Sequence, residues 1–242
     1  DPGFLHMPLQ QGPKVGIYNL RVAETVQQTG LRRNGTGPKL NTTVWGYGDD
    51  DFVSWPGRTF EVESSLTSNG LDDTKFTTVK WDNQLPNRHL LPVDTNLHWC
   101  YSLPGYEMYT IKGNGVPIVT HLHGGHSDFE FDGNPEFFWS PDYEIVGPQW
   151  TPLGGIIKDF VYQNDQPAGN LWYHDHALGI TRLNVYAGMA GFYFVRDSDD
   201  TGLPENLLGL PAFPYELAYA IQDRMFTKNG DLFYPAFPGD PF

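Results

Sequence analysis

A single cysteine, Cys100, stands in a chain of 242 residues, so no internal disulfide can staple this fold. The odd thiol leaves two alternatives, a bridge to another chain or a free buried group. Basic residues are also scarce: 15 Lys and Arg face 29 Asp and Glu, for a formal charge of −14. A chain this acidic lacks the positive footprint that nucleic acid or an anionic membrane requires, so neither is an expected partner. No apolar run approaches the roughly 20 residues of a membrane-spanning helix. Charged residues make up only 18%, too few for a disordered acidic chain. An initiator methionine and a signal-like apolar segment are missing at Asp1, and a processed N-terminus is expected.

What the chain has is aromatic residues at 15%, 27 glycines and 20 prolines, within a hydrophobic fraction of 39%. That mixture suits many short strands joined by turns. Alternation of apolar and polar positions predicts strands over 41–48, 58–64, 76–83, 156–164, 170–177 and 187–197. Residues 116–124 read as another, ending at two glycines. The first 40 residues are mixed, with "RRNGTGPK" a loop; 124–154 read as a long ordered loop, and "GITRLNVYAG" holds a helical turn. This spacing predicts an all-β sandwich or Greek-key barrel. After Asp197 comes a linker, then a strand over 215–226 and a hairpin partner beginning at 229–234. A lone hairpin cannot bury its own apolar face. Residues 1–197 are therefore expected to form one domain, and 198–242 to open a second that another chain completes. Asn34-Gly-Thr36 and Asn41-Thr-Thr43 are N-glycosylation sequons, which favour a secreted glycoprotein.

The chemistry concentrates in "THLHGGH" and "YHDH". His121 and His123 are spaced i, i+2, as are His174 and His176. On a strand such a pair shares one face; on a helix it would diverge. Two such strands side by side would aim four imidazoles at one small volume. Neutral imidazole suits copper, zinc, iron and nickel. Four imidazoles without a thiolate lean toward copper, because structural zinc usually recruits cysteine. One H-x-H pair alone is weak, and two on strands are far stronger. A cupin would place a glutamate sooner than Glu130, seven positions after His123, and an amidohydrolase would need alternating strands and helices. His126 lies on a loop and reads as a solvent or supporting residue. His6, His89 and His98 read as structural, and "HWC" (98–100) lacks a third ligand at useful spacing.

"HLHGG", followed about fifty residues on by "LWYHDHALGITRLNVYAGMAGFYFVRD", resembles the N-terminal half of a three-domain multicopper oxidase. The similar branch contains spore-coat laccases, phenoxazinone synthase and bilirubin oxidases. "TVWGYG", "PGRTFEVE", "LPNRHLLPVD", "AIQDRMF" and "DLFYPAFP" extend the likeness over most of the chain. The resemblance implies cupredoxin-like domains and a trinuclear copper cluster that reduces O2 to water in a four-electron reaction. It implies His121 on the type 2 copper, His123 and His174 on one type 3 copper, and His176 on the other. Asp132, in "FDG", matches an acidic residue thought to feed protons to the cluster, though a turn aspartate before glycine reads almost as well.

The family's third and fourth histidine motifs, H-x-x-H-x-H and H-C-H-x-x-x-H, are missing here, and with them the type 1 copper site. The resemblance therefore implies a laccase-like oxidase active only with a C-terminal partner chain cut from the same precursor. That partner would carry the type 1 copper, and Cys100 is expected to bridge to it. A small reducing substrate is implied: a phenol, aminophenol, tetrapyrrole or low-valent metal ion. Two other readings stay open, a non-catalytic copper-binding or storage module and a zinc hydrolase.

Overall fold

The computed structural model describes residues 17–240, so the reading of His6 lies outside the described residues. In chain order the elements are β1 (Ile17–Arg32), β2 (Lys39–Gly48), β3 (Val53–Ser54), β4 (Phe60–Glu63), β5 (Leu66–Thr67), β6 (Gly70–Leu71) and β7 (Thr77–Gln84). Then follow α1 (Ile111–Asn114), β8 (Thr120–His123), β9 (Asp159–Tyr162), β10 (Gly169–Asp175), α2 (Thr181–Ala187), β11 (Ala190–Arg196), β12 (Met225–Phe226) and β13 (Leu232–Phe233). The expected all-β sandwich is what forms. One sheet runs β3-β2-β1-β7-β9 and the other β4-β11-β10-β8. Most neighbours are antiparallel, but β1 pairs parallel with β7 and β11 with β4, pairings that require crossover connections.

Aromatic rings fill the space between the sheets. Tyr47 and Trp81 project from the first sheet, and Phe60, Tyr173 and Tyr193 from the second; all are buried. Tyr47 meets Tyr173 edge-on at 5.0 Å between centroids, and Trp81 lies 5.2 Å from Tyr173. Their polar tips are satisfied, as burial demands. Trp81 Nε1 donates to Tyr162 (3.1 Å), Tyr193 to Asn164 (2.6 Å), and Tyr173 to the Arg58 carbonyl (2.6 Å). The odd positions of β10 thus root in this core, which leaves its even positions, Trp172 and His174, on the opposite face.

Three readings of the sequence change. The mixed opening stretch contains β1, the longest strand, which runs through the middle of the first sheet. Only Leu20 and Val22 on it are buried, so its apolar period is too short to stand out. Of the strand expected over 215–226, only Met225–Phe226 forms; no described strand lies beside the rest to pair with it. Tyr215, Leu217, Tyr219 and Ile221 alternate as written, yet all four are exposed. Cys100 is fully buried and its thiol donates to the Leu178 carbonyl (3.4 Å), so it is the free buried thiol rather than the bridge. Burial also pushes that thiol well above its ordinary range, which disfavours the reactive thiolate.

Polar tethers hold the terminal segment to the sandwich. Arg196, at the end of β11, bonds Glu61, Asp200 and Glu216. Arg224 lies over the rings of Trp55 and Tyr186 and donates to the Val185 carbonyl. Thr42 on β2 donates to the Gly230 carbonyl (2.7 Å).

Candidate metal centre

β8 and β10 are antiparallel neighbours, with His121 directly opposite His174 and His123 opposite Trp172. The i, i+2 spacing therefore does what strand geometry requires: His121, His123 and His174 emerge on one face. His176 lies just past the end of β10, where its backbone N–H donates to the Val119 carbonyl (2.7 Å). Its ring centroid is 5.2 Å from that of His121 and 5.7 Å from that of His174. His121 is 5.5 Å from both His123 and His174 by the same measure. All four imidazoles thus meet in one volume, and one nitrogen each from His121, His123 and His174 lies within 4.8 Å of the others.

Hydrogen bonds choose which nitrogen faces inward. His174 Nδ1 donates to the Asp175 carbonyl (2.7 Å), leaving Nε2 unprotonated, with its lone pair turned toward the other rings. His121 Nδ1 donates to the Asp132 carbonyl, with the same consequence, and lies 3.5 Å from Asp132 Oδ1. His123 Nδ1 approaches His174 Nε2 at 3.2 Å. His176 Nδ1 is buried with no hydrogen-bond partner among the described residues. Burial lowers the His174 pKa to about 4 and lowers that of His176 as well. Both rings are therefore neutral near pH 7, the state that offers a lone pair to a metal.

Each ring is held from behind. Gly133 sits against the start of β8 with φ of +78°, and a Cβ there would lie 2.5 Å from the Thr120 carbonyl and 2.7 Å from His121 Cα. Only glycine lets the "FDG" turn come close enough for the Asp132 carbonyl to reach His121. Trp172, two positions before His174 and so on the same face, stacks on His123 (25° between planes, centroids 5.0 Å apart). Its ring also lies 4.2 Å from His174. Sequence reasoning passed over Trp172, although the i, i+2 relation that joins the histidines includes it. Asp175 points to the other face, fully buried, and accepts from the backbone N–H groups of Val119 (3.1 Å) and Ala177 (3.2 Å) and from Asn184 Nδ2 (2.9 Å). Burial pushes its carboxyl up to about 7, while those three donors pull it down. All three partners are donors, an arrangement that favours the ionised carboxylate.

The other histidines lie apart from this group. His126 is exposed, with Nδ1 3.4 Å from Asp165. His98 is exposed beside Ser102. His89 packs edge-on against Trp45 and bonds Asn184. The donor set fits copper: four imidazoles, no thiolate, and one buried orphaned nitrogen whose cost a bound ion would remove.

No protein-family model matches the chain. It is 35% identical over 234 residues to a laccase of Bacillus subtilis, covering 97% of this chain and 39% of that protein. It is 35% identical over 202 residues to the multicopper oxidase LPR1 of Arabidopsis thaliana, covering 83% and 30% respectively. Among solved structures, a multicopper oxidase from Pediococcus acidilactici matches with a TM-score of 0.57 at 20% identity, over 95% of this chain and 36% of that one. That likeness shows the fold, a cupredoxin-like sandwich. The chain spans about two-fifths of the length of the first of these relatives.

Proposed function

Because this chain is a homologue of the multicopper oxidases and corresponds to the N-terminal part of one, we propose that it supplies half the histidine shell of a copper centre at which O2 is reduced to water. The observation that carries the reading is the pairing of two H-x-H motifs across adjacent strands, His121 opposite His174. Copper held there would supply single-electron chemistry toward O2, with imidazole as a well-suited ligand. His121 is assigned to a type 2 copper, His123 and His174 to one type 3 copper, and His176 to the other. The 3.2 Å between His123 Nδ1 and His174 Nε2 supports their sharing an ion, since two nitrogens bonded at about 2 Å to one ion stand roughly 3 Å apart. Asp132 keeps a half-exposed carboxylate 3.5 Å from His121. In this reading Asp132 Oδ1 takes protons from solvent and hands them toward the site, while its carbonyl orients His121.

The remaining ligands, and a type 1 copper that accepts electrons, are assigned to polypeptide outside these 242 residues, on a C-terminal partner chain from the same precursor. Two facts support an outside contribution: the third and fourth histidine motifs are missing, and the chain spans 39% of a laccase relative. Residues 198–240 would then open a second domain, whose remainder covers Leu207, Tyr215, Leu217, Tyr219 and Ile221. The reducing substrate is assigned only by class: a phenol, aminophenol, tetrapyrrole or metal ion. Secretion completes the reading, supported by exposed Asn34 and Asn41 in both sequons. A mass loss on treatment with an N-glycosidase would be the expected result.

The test is copper content and oxygen uptake of the native assembly with a phenolic donor, beside its mass before and after denaturation. Copper bound together with donor-dependent uptake supports the oxidase. Copper without uptake would favour the binding or storage module, which the three clustered donors of this chain also suit. Zinc in place of copper, with no uptake, would overturn both.

A further inference from the structure

We propose that Asp175 is the positioning residue of this centre, and that a buried relay from His89 through Asn184 sets its carboxylate. The inference rests on the copper reading above and adds the residue between two of the ligands, with His89 and Asn184 behind it. The relay begins at His89, whose Nδ1 accepts the Leu91 N–H (3.0 Å). The proton must then sit on Nε2, which donates to Asn184 Oδ1 (3.0 Å). Burial, which lowers the His89 pKa to about 4, keeps the ring in that neutral tautomer. This fixes the amide of Asn184: its oxygen faces His89, so its NH2 faces the other way. Those two protons go to Asp175 Oδ2 (2.9 Å) and to the Pro117 carbonyl (3.2 Å). Asn184 and Asp175 are both fully buried, so neither has water as an alternative partner.

Asp175 converts that orientation into ligand geometry. Its carboxylate accepts from Val119, two residues before His121, and from Ala177, the residue after His176. It therefore ties the backbone of one ligand strand to the other at their metal-facing ends. Its own carbonyl accepts from His174 Nδ1 and selects the tautomer that leaves Nε2 open. The turn it closes also presents His176, whose Nδ1 is buried without a partner among the described residues. One residue between two ligands thus governs both, from the face of the strand opposite the metal. Partners outside the ligand set commonly control metal affinity by about 10–100-fold.

The test uses the full-length native protein, titrated with Cu(II) against a chelator, with Cu(II) EPR spectra and apo-protein melting recorded alongside. Asp175→Asn turns one oxygen into an NH2 that faces donors, so copper affinity should fall about 10–100-fold with a changed EPR signature. Should that variant not fold, His89→Leu and His89→Gln decide the matter. Leucine ends the relay and should weaken copper and alter the spectrum. Glutamine can accept from Leu91 and donate to Asn184, and should restore both. A wild type that binds no copper would sink the copper reading itself. Wild-type binding with His89→Leu and His89→Gln both unchanged in affinity and spectrum, whatever their melting points, would sink the relay alone.

Discussion

His121 and His123 lie on a four-residue strand at the edge of its sheet; His174 lies on a seven-residue strand with neighbours on both sides. His123 is exposed, whereas His174 is only 6% exposed. The first pair is backed by a glycine turn and an indole, the second by a buried network of Asp175, Asn184 and His89. Spacing put each pair on one face. Position in the sheet then decided burial, and burial decided what kind of support each ring could have. The difference predicts that the two pairs bind copper jointly but contribute unequally to the fold.

The largest effect should come from the ligands themselves. His174→Ala and His123→Ala should each reduce copper affinity by more than the roughly 10–100-fold typical of a supporting residue. Their effects on the metal-free protein should diverge. His174→Ala empties a buried position and orphans a carbonyl, at about 1–3 kcal/mol, while His123→Ala should lose mainly its stack on Trp172, about 0.5–1.5 kcal/mol. Equal melting points for the two apo variants would break the comparison.

Gly133→Ala attacks the support of the first pair. Positive φ and a collision with the backbone of β8 put the cost at roughly 3 kcal/mol. That corresponds to a melting point lower by about 6–12 °C. Copper binding through His121 should weaken with it, and a wild-type melting curve would show that the turn tolerates a side chain.

How much of this could be read from the chain follows from the same physics. β7 buries alternate side chains, Thr77, Val79, Trp81 and Asn83, and the alternation is visible in the letters; β2, β10 and β11 bury consecutive residues, and their Val, Trp, Tyr and Phe content marks them instead. β1 buries only Leu20 and Val22 and was invisible for that reason. Residues 215–221 show the converse, with an alternating pattern and no described strand beside it. The four histidines were legible because two repeats of one spacing converge. Asp175 and Asn184 were not, because a buried carboxylate and amide are recognised by their partners, and those come from residues 89, 117, 119 and 177. Trp172 was legible in principle, by the rule that found His174.

Acid should strip support from the second pair before the first. Burial lowers the His89 pKa to about 4, from the ordinary 6.5 of an imidazole, so the unfolded chain binds this proton more tightly than the folded one. Its contribution is fully present above pH 6.5 and is lost as pH falls toward 4, by roughly 3 kcal/mol in all. Melting of the metal-free protein across that window should show the loss. His174, whose pKa burial also lowers to about 4, titrates in the same window, so His89→Gln, which cannot titrate, should make the loss shallower; an equally steep loss in the variant would place the sensitivity elsewhere.

The smallest effect should belong to Trp172, and it bears most directly on the edge strand. Trp172 is 38% exposed, so it has less burial to lose than the core tryptophans. What it supplies is a flat wall against His123, on a strand with no described neighbour beyond it. Trp172→Leu should therefore cost about 0.5–1.5 kcal/mol, the worth of an aromatic pair. The sharper readout is the imidazole NMR signals of the metal-free protein. His123 should broaden or shift as its ring gains freedom, while His174, fixed by the Asp175 carbonyl, should hold its tautomer. If His174 loosens instead, at 4.2 Å from the same indole, then the buried pair leans on the exposed face too, and the division of support between the two strands fails.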